Sequence, residues 1–180
     1  MQIKGLSLKN FAIVISDHLN KNGVEVVLTG GACVAIYTDN KYMSYDLDFV
    51  LASTDSAKKA KQLLEKIGFY EEGRYFRHND SEYFIDFVSP PLSVGDEPVK
   101  EISEIKKQGR ILKLLSPTDC VKDRLAAFYH WNDRQSLEQA ILVCKDNEIN
   151  LKEVMRWSHN EGMIIKYKKF VKVLSERIGT

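Results

Sequence analysis

Leu28-Thr29-Gly30-Gly31-Ala32, followed downstream by Ser44-Tyr45-Asp46-Leu47-Asp48-Phe49-Val50, is the stretch whose reading decides the fold. Val24 to Leu28 is apolar and largely β-branched, the composition of a buried strand, and it runs directly into the glycine pair; Ala32 to Tyr37 then reads as a short helix. The second stretch alternates as a strand does, so Asp46 and Asp48 share one face while Leu47 and Phe49 point to a core on the other. A third carboxylate lies in Tyr83-Phe84-Ile85-Asp86-Phe87-Val88, again an alternating run, with Asp86 on the face of Phe84 and Val88. If the two strands are neighbours, three carboxylates converge beside a glycine turn.

The surrounding chain reads as a mixed α/β (α+β) architecture. Ser7 is an expected N-cap for a first helix ending at Asn22-Gly23, and Asp55 to Ile67 an amphipathic helix closed by Gly68. Tyr70, Arg74 to Arg77 and Tyr83 to Val88 read as antiparallel strands turning at Glu72-Gly73 and Asn79-Asp80, and Leu92 to Gly109 as a loop with one edge strand. From Ser116-Pro117 onward the pattern is helical: Leu125, Phe128 and Tyr129, then Leu137, Ala140, Ile141 and Cys144, then Leu151, Val154 and Met155, and finally Ile164, Tyr167, Val171, Leu174 and Ile178 mark apolar faces. The expected organisation is a core over residues 1–115 and a helical segment over 116–180 packed on it.

Composition narrows the function classes. The chain has 180 residues, 44% of them hydrophobic and 28% charged, enough to bury a real core. A formal charge of +1 provides no global field for a polyanion, so any such site must come from local clustering. Cys33, Cys120 and Cys144 are odd in number and widely spaced, which argues against a disulfide framework or a structural zinc. With no apolar stretch of membrane-crossing length and no leader pattern, the expected setting is the cytoplasm.

Glycines at a strand-to-helix turn let a phosphate approach the backbone, where the helix offers unpaired N–H groups and the positive end of its dipole. Carboxylates beside a phosphate need a counter-ion, and Mg²⁺ prefers oxygen ligands; two such ions about 4 Å apart can hold the attacking and leaving oxygens of a displacement at phosphorus. A dehalogenase-type phosphatase needs its first Asp directly after an apolar strand and a Thr beyond the second, where this chain has Ser44-Tyr45 and Phe49-Val50. A nucleotide-sugar transferase uses Asp-x-Asp with a metal but gives no reason for the upstream glycines. Asp86 also has a structural reading, as the partner of Arg74 or Arg77.

In these residues the chain resembles the DNA polymerase beta-like nucleotidyltransferase superfamily, and the string from Leu28 to Ala32 with Ser44 two residues before Asp46 is most similar to minimal nucleotidyltransferases of the abortive-infection toxin type. The resemblance implies a nucleotidyltransferase-like mixed sheet flanked by helices that binds a nucleoside triphosphate and two Mg²⁺ ions and moves a nucleotide to a hydroxyl, releasing pyrophosphate. Asp46 and Asp48 would hold the metals, and Asp86 would be the third ligand or the base. Gly30 and Gly31 would cradle the triphosphate, and because Gly31 and Ala32 stand where relatives often carry hydroxyls, Thr29 and Ser44 are left to supply one. Lys122 and Arg124 both lie near the basic residue of the toxin relatives, and Asn132-Asp133-Arg134 near their Arg-Asp pair. The acceptor stays open between tRNA, a protein hydroxyl and a small molecule such as an aminoglycoside, and the presence of an antitoxin partner stays open as well. The alternative is a catalytically silent module that binds a nucleotide or a protein.

His130 reads as closing a core at a helix end, and His18, His78 and His159 lack the spacing of a zinc site. Lys166, Lys168, Lys169, Lys172 and Arg177 make the terminal helix basic, a solvated face in the first reading and an RNA-binding one in the second.

Overall fold

The computed structural model describes residues 2–179. A seven-stranded mixed sheet forms its centre, in the order β3-β4-β5-β2-β1-β9-β8. Helix α1 (Leu8–Lys21) precedes β1 (Val26–Thr29); α2 (Gly30–Tyr37) follows at once, then β2 (Asp46–Leu51), α3 (Ser56–Glu65), β3 (Tyr70–Glu72), β4 (Tyr75–Arg77) and β5 (Phe84–Val88). A small hairpin of β6 (Ser93–Val94) and β7 (Glu97–Pro98) leads to β8 (Ile102–Lys107) and β9 (Arg110–Leu115). Four helices complete the chain: α4 (Pro117–Trp131), α5 (Arg134–Asp146), α6 (Leu151–Asn160) and α7 (Ile164–Ile178).

Local chemistry sets most of these boundaries. The Ser7 hydroxyl accepts from the Asn10 N–H at the start of α1, Asn22 ends the helix, and Gly23 turns the chain at φ +72°. Ser116 caps α4 in the same way, accepting from the Asp119 N–H with Pro117 in the first turn. Helix α2 begins at Gly30, two residues before the expected start, because the left-handed Gly30 turns directly from strand into helix. The core runs from α1 through the sheet to α4 and α5, with Phe11, Leu28, Leu47, Phe49, Ile85, Leu114 and Leu125 all completely buried.

Two sequence expectations are amended. Residues 92–109 contain the expected edge strand, β8, but also the hairpin of β6 and β7, and β8 pairs antiparallel along its whole length with β9, which lies parallel to β1. Strand β8 is an outermost strand with four of its six residues exposed, so its charged side chains hide the alternation. On the helical side, Leu151 and Met155 of α6 and Ile178 of α7 are exposed, while Trp157 and Phe170 are fully buried in their place. Trp157 stacks on Tyr129 with ring centroids 5.6 Å apart and donates its indole N–H to the Val94 carbonyl, so it seats the β6–β7 hairpin against the helices.

The three cysteines are free; Cys33 and Cys120 are buried, and burial pushes their thiols up, leaving them inert packing groups. Among the described residues, no helix is long and apolar enough to cross a membrane.

Candidate active site

Strand pairing brings the three aspartates together. β2 lies parallel to β5 with Asp48 directly opposite Asp86, and antiparallel to β1 with Asp48 opposite Thr29. Thr29, Asp48 and Asp86 thus form a row across three adjacent strands, about 4.8 Å from one strand to the next. Asp46 stands opposite Phe84, one step along the same face. Tyr83, the residue before β5, meets Phe11 of α1 with ring centroids 5.6 Å apart, and the alternation from Tyr83 through β5 places Asp86 on the side away from α1. Asp86 is 8% exposed, and Leu47 and Phe49, which alternate with the aspartates of β2, are fully buried.

The glycine turn is fitted to this row. Gly30 has φ +70°, and a Cβ built there would fall 2.3 Å from Oδ2 of Asp48. A side chain at position 30 is therefore excluded twice, by the left-handed backbone and by the carboxylate. Gly31 is less confined, since a Cβ would come within 3.2 Å of the Ser44 hydroxyl and 3.4 Å of the Tyr42 ring. The hydroxyls expected to face a phosphate are used within the protein: Thr29 donates to the Asp48 carbonyl at 3.2 Å, and Ser44 donates to Oδ1 of Asp46 at 2.7 Å. No side chain caps the eight-residue helix α2, which leaves its first N–H groups beside the carboxylates.

The two basic candidates part company. Residues 122 and 124 lie about 200° apart around a helix. Arg124 donates from Nε and Nη2 to Asp123 at 3.0 and 2.5 Å, and from Nη1 to Gln139 of α5 at 3.4 Å. Its charge reaches Asp48, whose ionised form it favours. Lys122 is held elsewhere, 2.8 Å from Asp119 and 3.4 Å from Glu153, over the Trp157 ring and in a separate cavity of about 550 Å³ lined also by Glu97 and Arg156. The structure does not bring Lys122 to the aspartates.

Sequence reading passed over one neighbour, Tyr42, and left the partners of several others open. The phenol of Tyr42, beside Gly31, is raised by burial and then by the Asp46 carboxylate. Asp133 caps α5 and is lowered chiefly by the Ser136 hydroxyl, which donates to it at 2.7 Å. Arg74 ion-pairs with Asp86 at 3.1 Å, whereas Arg77 pairs with Glu72. His130 is exposed and lies 3.5 Å from Glu161, and its neighbour Trp131 is 82% exposed, so the end of α4 does not close the core as expected; Tyr129 does. In the basic terminal helix, Lys166 donates to the carbonyls of Phe128 and Tyr129, and Arg177 pairs with Glu138.

Burial, and after it the neighbouring negative charge, raises the carboxyls of Asp48 and Asp86. The carboxyl of Asp48 is pushed up to about 6 by burial, then by Asp46 and Asp86, against a smaller pull from Arg124. That of Asp86 is raised by burial, with Arg74 opposing and Asp46 adding to the rise. Among the described residues, no three His, Cys, Asp or Glu side chains already stand in the arrangement of a metal site. The donor set nevertheless suits a hard divalent cation: three carboxylates on one face, a raised proton affinity that such an ion would replace, and an arginine balancing one of the three.

No family model matches the chain, and no curated protein matches it. Solved structures do. The antigenic nucleotidyltransferase-like protein from Paracoccidioides brasiliensis superposes with a TM-score of 0.56 at 13% identity, over 92% of this chain and 94% of its own. The lincosamide antibiotic adenylyltransferase LnuA, solved with lincomycin bound, gives 0.54 at 18% identity over 74% of this chain and 94% of its own. ANT(2")-Ia in complex with adenylyl-2"-tobramycin gives 0.51 at 13% identity over 86% and 93%. The fold is nucleotidyltransferase-like; the likeness to the toxin type rests on the motif string alone.

Proposed function

We propose that this protein is a Mg²⁺-dependent nucleotidyltransferase that moves a nucleotide from a nucleoside triphosphate to the hydroxyl of an acceptor, with pyrophosphate as the leaving group. The observation that carries this reading is the parallel register of Asp48 with Asp86, with Asp46 on the same face and the Gly30 turn against Asp48. One structural relative is named as an adenylyltransferase and was solved with lincomycin, and another was solved with an adenylylated tobramycin, which supports nucleotidyl transfer and makes a small hydroxylated molecule the first acceptor to try. A tRNA or protein acceptor, and an antitoxin partner, rest on the toxin resemblance alone.

In this reading Asp46, Asp48 and Asp86 would hold the metal, whose charge would offset that gathering on the attacking and leaving oxygens. The uncapped start of α2 at Gly30 and Gly31 receives the triphosphate, and Arg124, clamped by Asp123 and Gln139, sets a fixed positive charge toward it. Ser44 orients the Asp46 carboxylate, and Thr29 ties the β1 end to β2 at Asp48. Asp86, raised by burial, is placed to accept the proton of the incoming hydroxyl if it does not serve as the third ligand.

The test is incubation of the purified protein with each labelled nucleoside triphosphate, Mg²⁺ and small hydroxylated acceptors, total tRNA or cell extract. Pyrophosphate release with label on one acceptor class, lost in Asp46→Ala, is the expected result. One observation favours the silent binding module: Arg74 already neutralises Asp86. Triphosphate binding with no label on any acceptor would make that the better reading.

A further inference from the structure

Arg74 occupies an unusual place. It is the second residue of the two-residue turn Gly73-Arg74 that joins β3 to β4, the outermost hairpin of the sheet, and all three residues of β3 are exposed. Tyr75, the residue after it, stands opposite Asp86 across the β4–β5 pair. From there Arg74 sets its Nε 3.1 Å from Oδ2 of Asp86 while its guanidinium lies over the Tyr75 ring, 4.9 Å from the centroid. The side chain is 69% exposed, whereas that of Asp86 is 12% exposed. A water-accessible cation from a peripheral turn thus closes off a buried carboxylate of the catalytic row. Among the described residues, no basic side chain forms an ion pair with Asp46 or Asp48. The nearby Arg77 is committed to Glu72 and to the face of Phe84.

We infer that Arg74 is a resident counter-ion that competes with the divalent cation for Asp86 and is displaced from it when the cation binds, so that it positions Asp86 and sets the metal affinity of the row. The inference rests on the metal-dependent reading of the site given above. The guanidinium sits on Oδ2 of Asp86, so a divalent ion ligating that oxygen competes with it for the same lone pairs, and repulsion between the two cations weakens the hold of each. A row that is competent only when Arg74 is away binds metal with an apparent affinity reduced by that fraction. An exposed arginine moves off at little cost, because water solvates its charge and the Tyr75 ring still supports its plane. The arrangement keeps a buried carboxylate paired in the substrate-free protein, where an unpaired one would be costly.

The experiment is direct titration of the nucleotide-free protein with Mn²⁺ as the probe, by calorimetry and by the loss of the free-ion paramagnetic signal, at fixed pH and ionic strength. Arg74→Gln is expected to bind Mn²⁺ about tenfold more tightly than the natural protein if Arg74 holds Asp86 about nine-tenths of the time. Arg74→Lys, which keeps a cation, should stay near the natural value. The unaltered protein gives a second readout: phenylglyoxal modification of Arg74, mapped by mass spectrometry, should speed up as Mn²⁺ is added. Unchanged or weaker binding in Arg74→Gln, or a modification rate indifferent to Mn²⁺ while the ion binds, overturns the inference and leaves the site reading intact. If neither form binds Mn²⁺, both fall.

Discussion

Gly30 and Asp48 are fitted to one another: the carboxylate Oδ2 of Asp48 lies 2.3 Å from where any Cβ at position 30 would stand, at a residue whose φ is +70°. In the proposed reading the glycine serves the carboxylate as well as the phosphate. Gly30→Ala is therefore expected to cost about 1–3 kcal/mol of stability through the left-handed backbone and to push Asp48 out of the row. Thermal melts beside transfer assays check this. A variant of natural stability and full activity would show that the contact has no consequence.

The raised carboxyl of Asp48 gives the metal-free protein a pH signature. The folded state holds this proton more tightly than the unfolded chain, so the stability it contributes is fully present below the unfolded value near 3.8 and is lost as pH rises through about 6. The expected loss is about 2–3 kcal/mol over that window, read from urea midpoints in the presence of a chelator. Asp48→Asn should flatten the slope and be more stable than the natural protein at pH 7.5.

In the proposed reading the same proton competes with metal. Binding of Mn²⁺ or Mg²⁺ is expected to strengthen steeply between pH 5 and about 6 and to level off above it, because the ion must displace the proton on Asp48. Calorimetric titrations at several pH values test this; an affinity flat across the range would remove Asp48 from the ligand set.

Lys122 and Arg124 should separate by the kind of damage their loss does. Arg124→Ala is expected to reduce transfer by about a hundredfold or more, through lost stabilisation of phosphate charge. Lys122→Ala is expected to act on folding, by about 3 kcal/mol, because it strands Asp119, which is 8% exposed, without its partner. Melting curves and kcat/KM for the pair distinguish the two; reversed effects would exchange their roles.

How much of this was legible from the residues depends on how local each feature is. Period-two alternation alone put Asp46 and Asp48 on one face and Leu47 and Phe49 in the core, and the caps at Ser7 and Ser116 followed from side chains a few positions from the backbone groups they serve. The meeting of Asp48 with Asp86 required knowing that β5 adds parallel to β2, which neither strand encodes by itself. Choosing Arg124 over Lys122 required the rotational setting of α4, since both residues fit the local pattern and only the packing against α5 turns Arg124 toward Gln139. The β8–β9 hairpin escaped notice because an exposed edge strand carries charge where a central one carries apolar residues, and because Ile111 to Leu115 runs straight into the α4 cap. Arg74 was visible as one of two candidate partners for Asp86; only the Gly73 turn, which carries it over Tyr75, decides between them.

The central claim is that Asp46, Asp48 and Asp86 are one site for metal-assisted nucleotidyl transfer. The most direct measurement is pyrophosphate release and label transfer by Asp48→Asn, beside the natural protein, with melting curves recorded on both. The account expects a folded variant, as stable as the natural protein or more so, with transfer reduced to background. A folded Asp48→Asn that transfers nucleotide at the natural rate would contradict it.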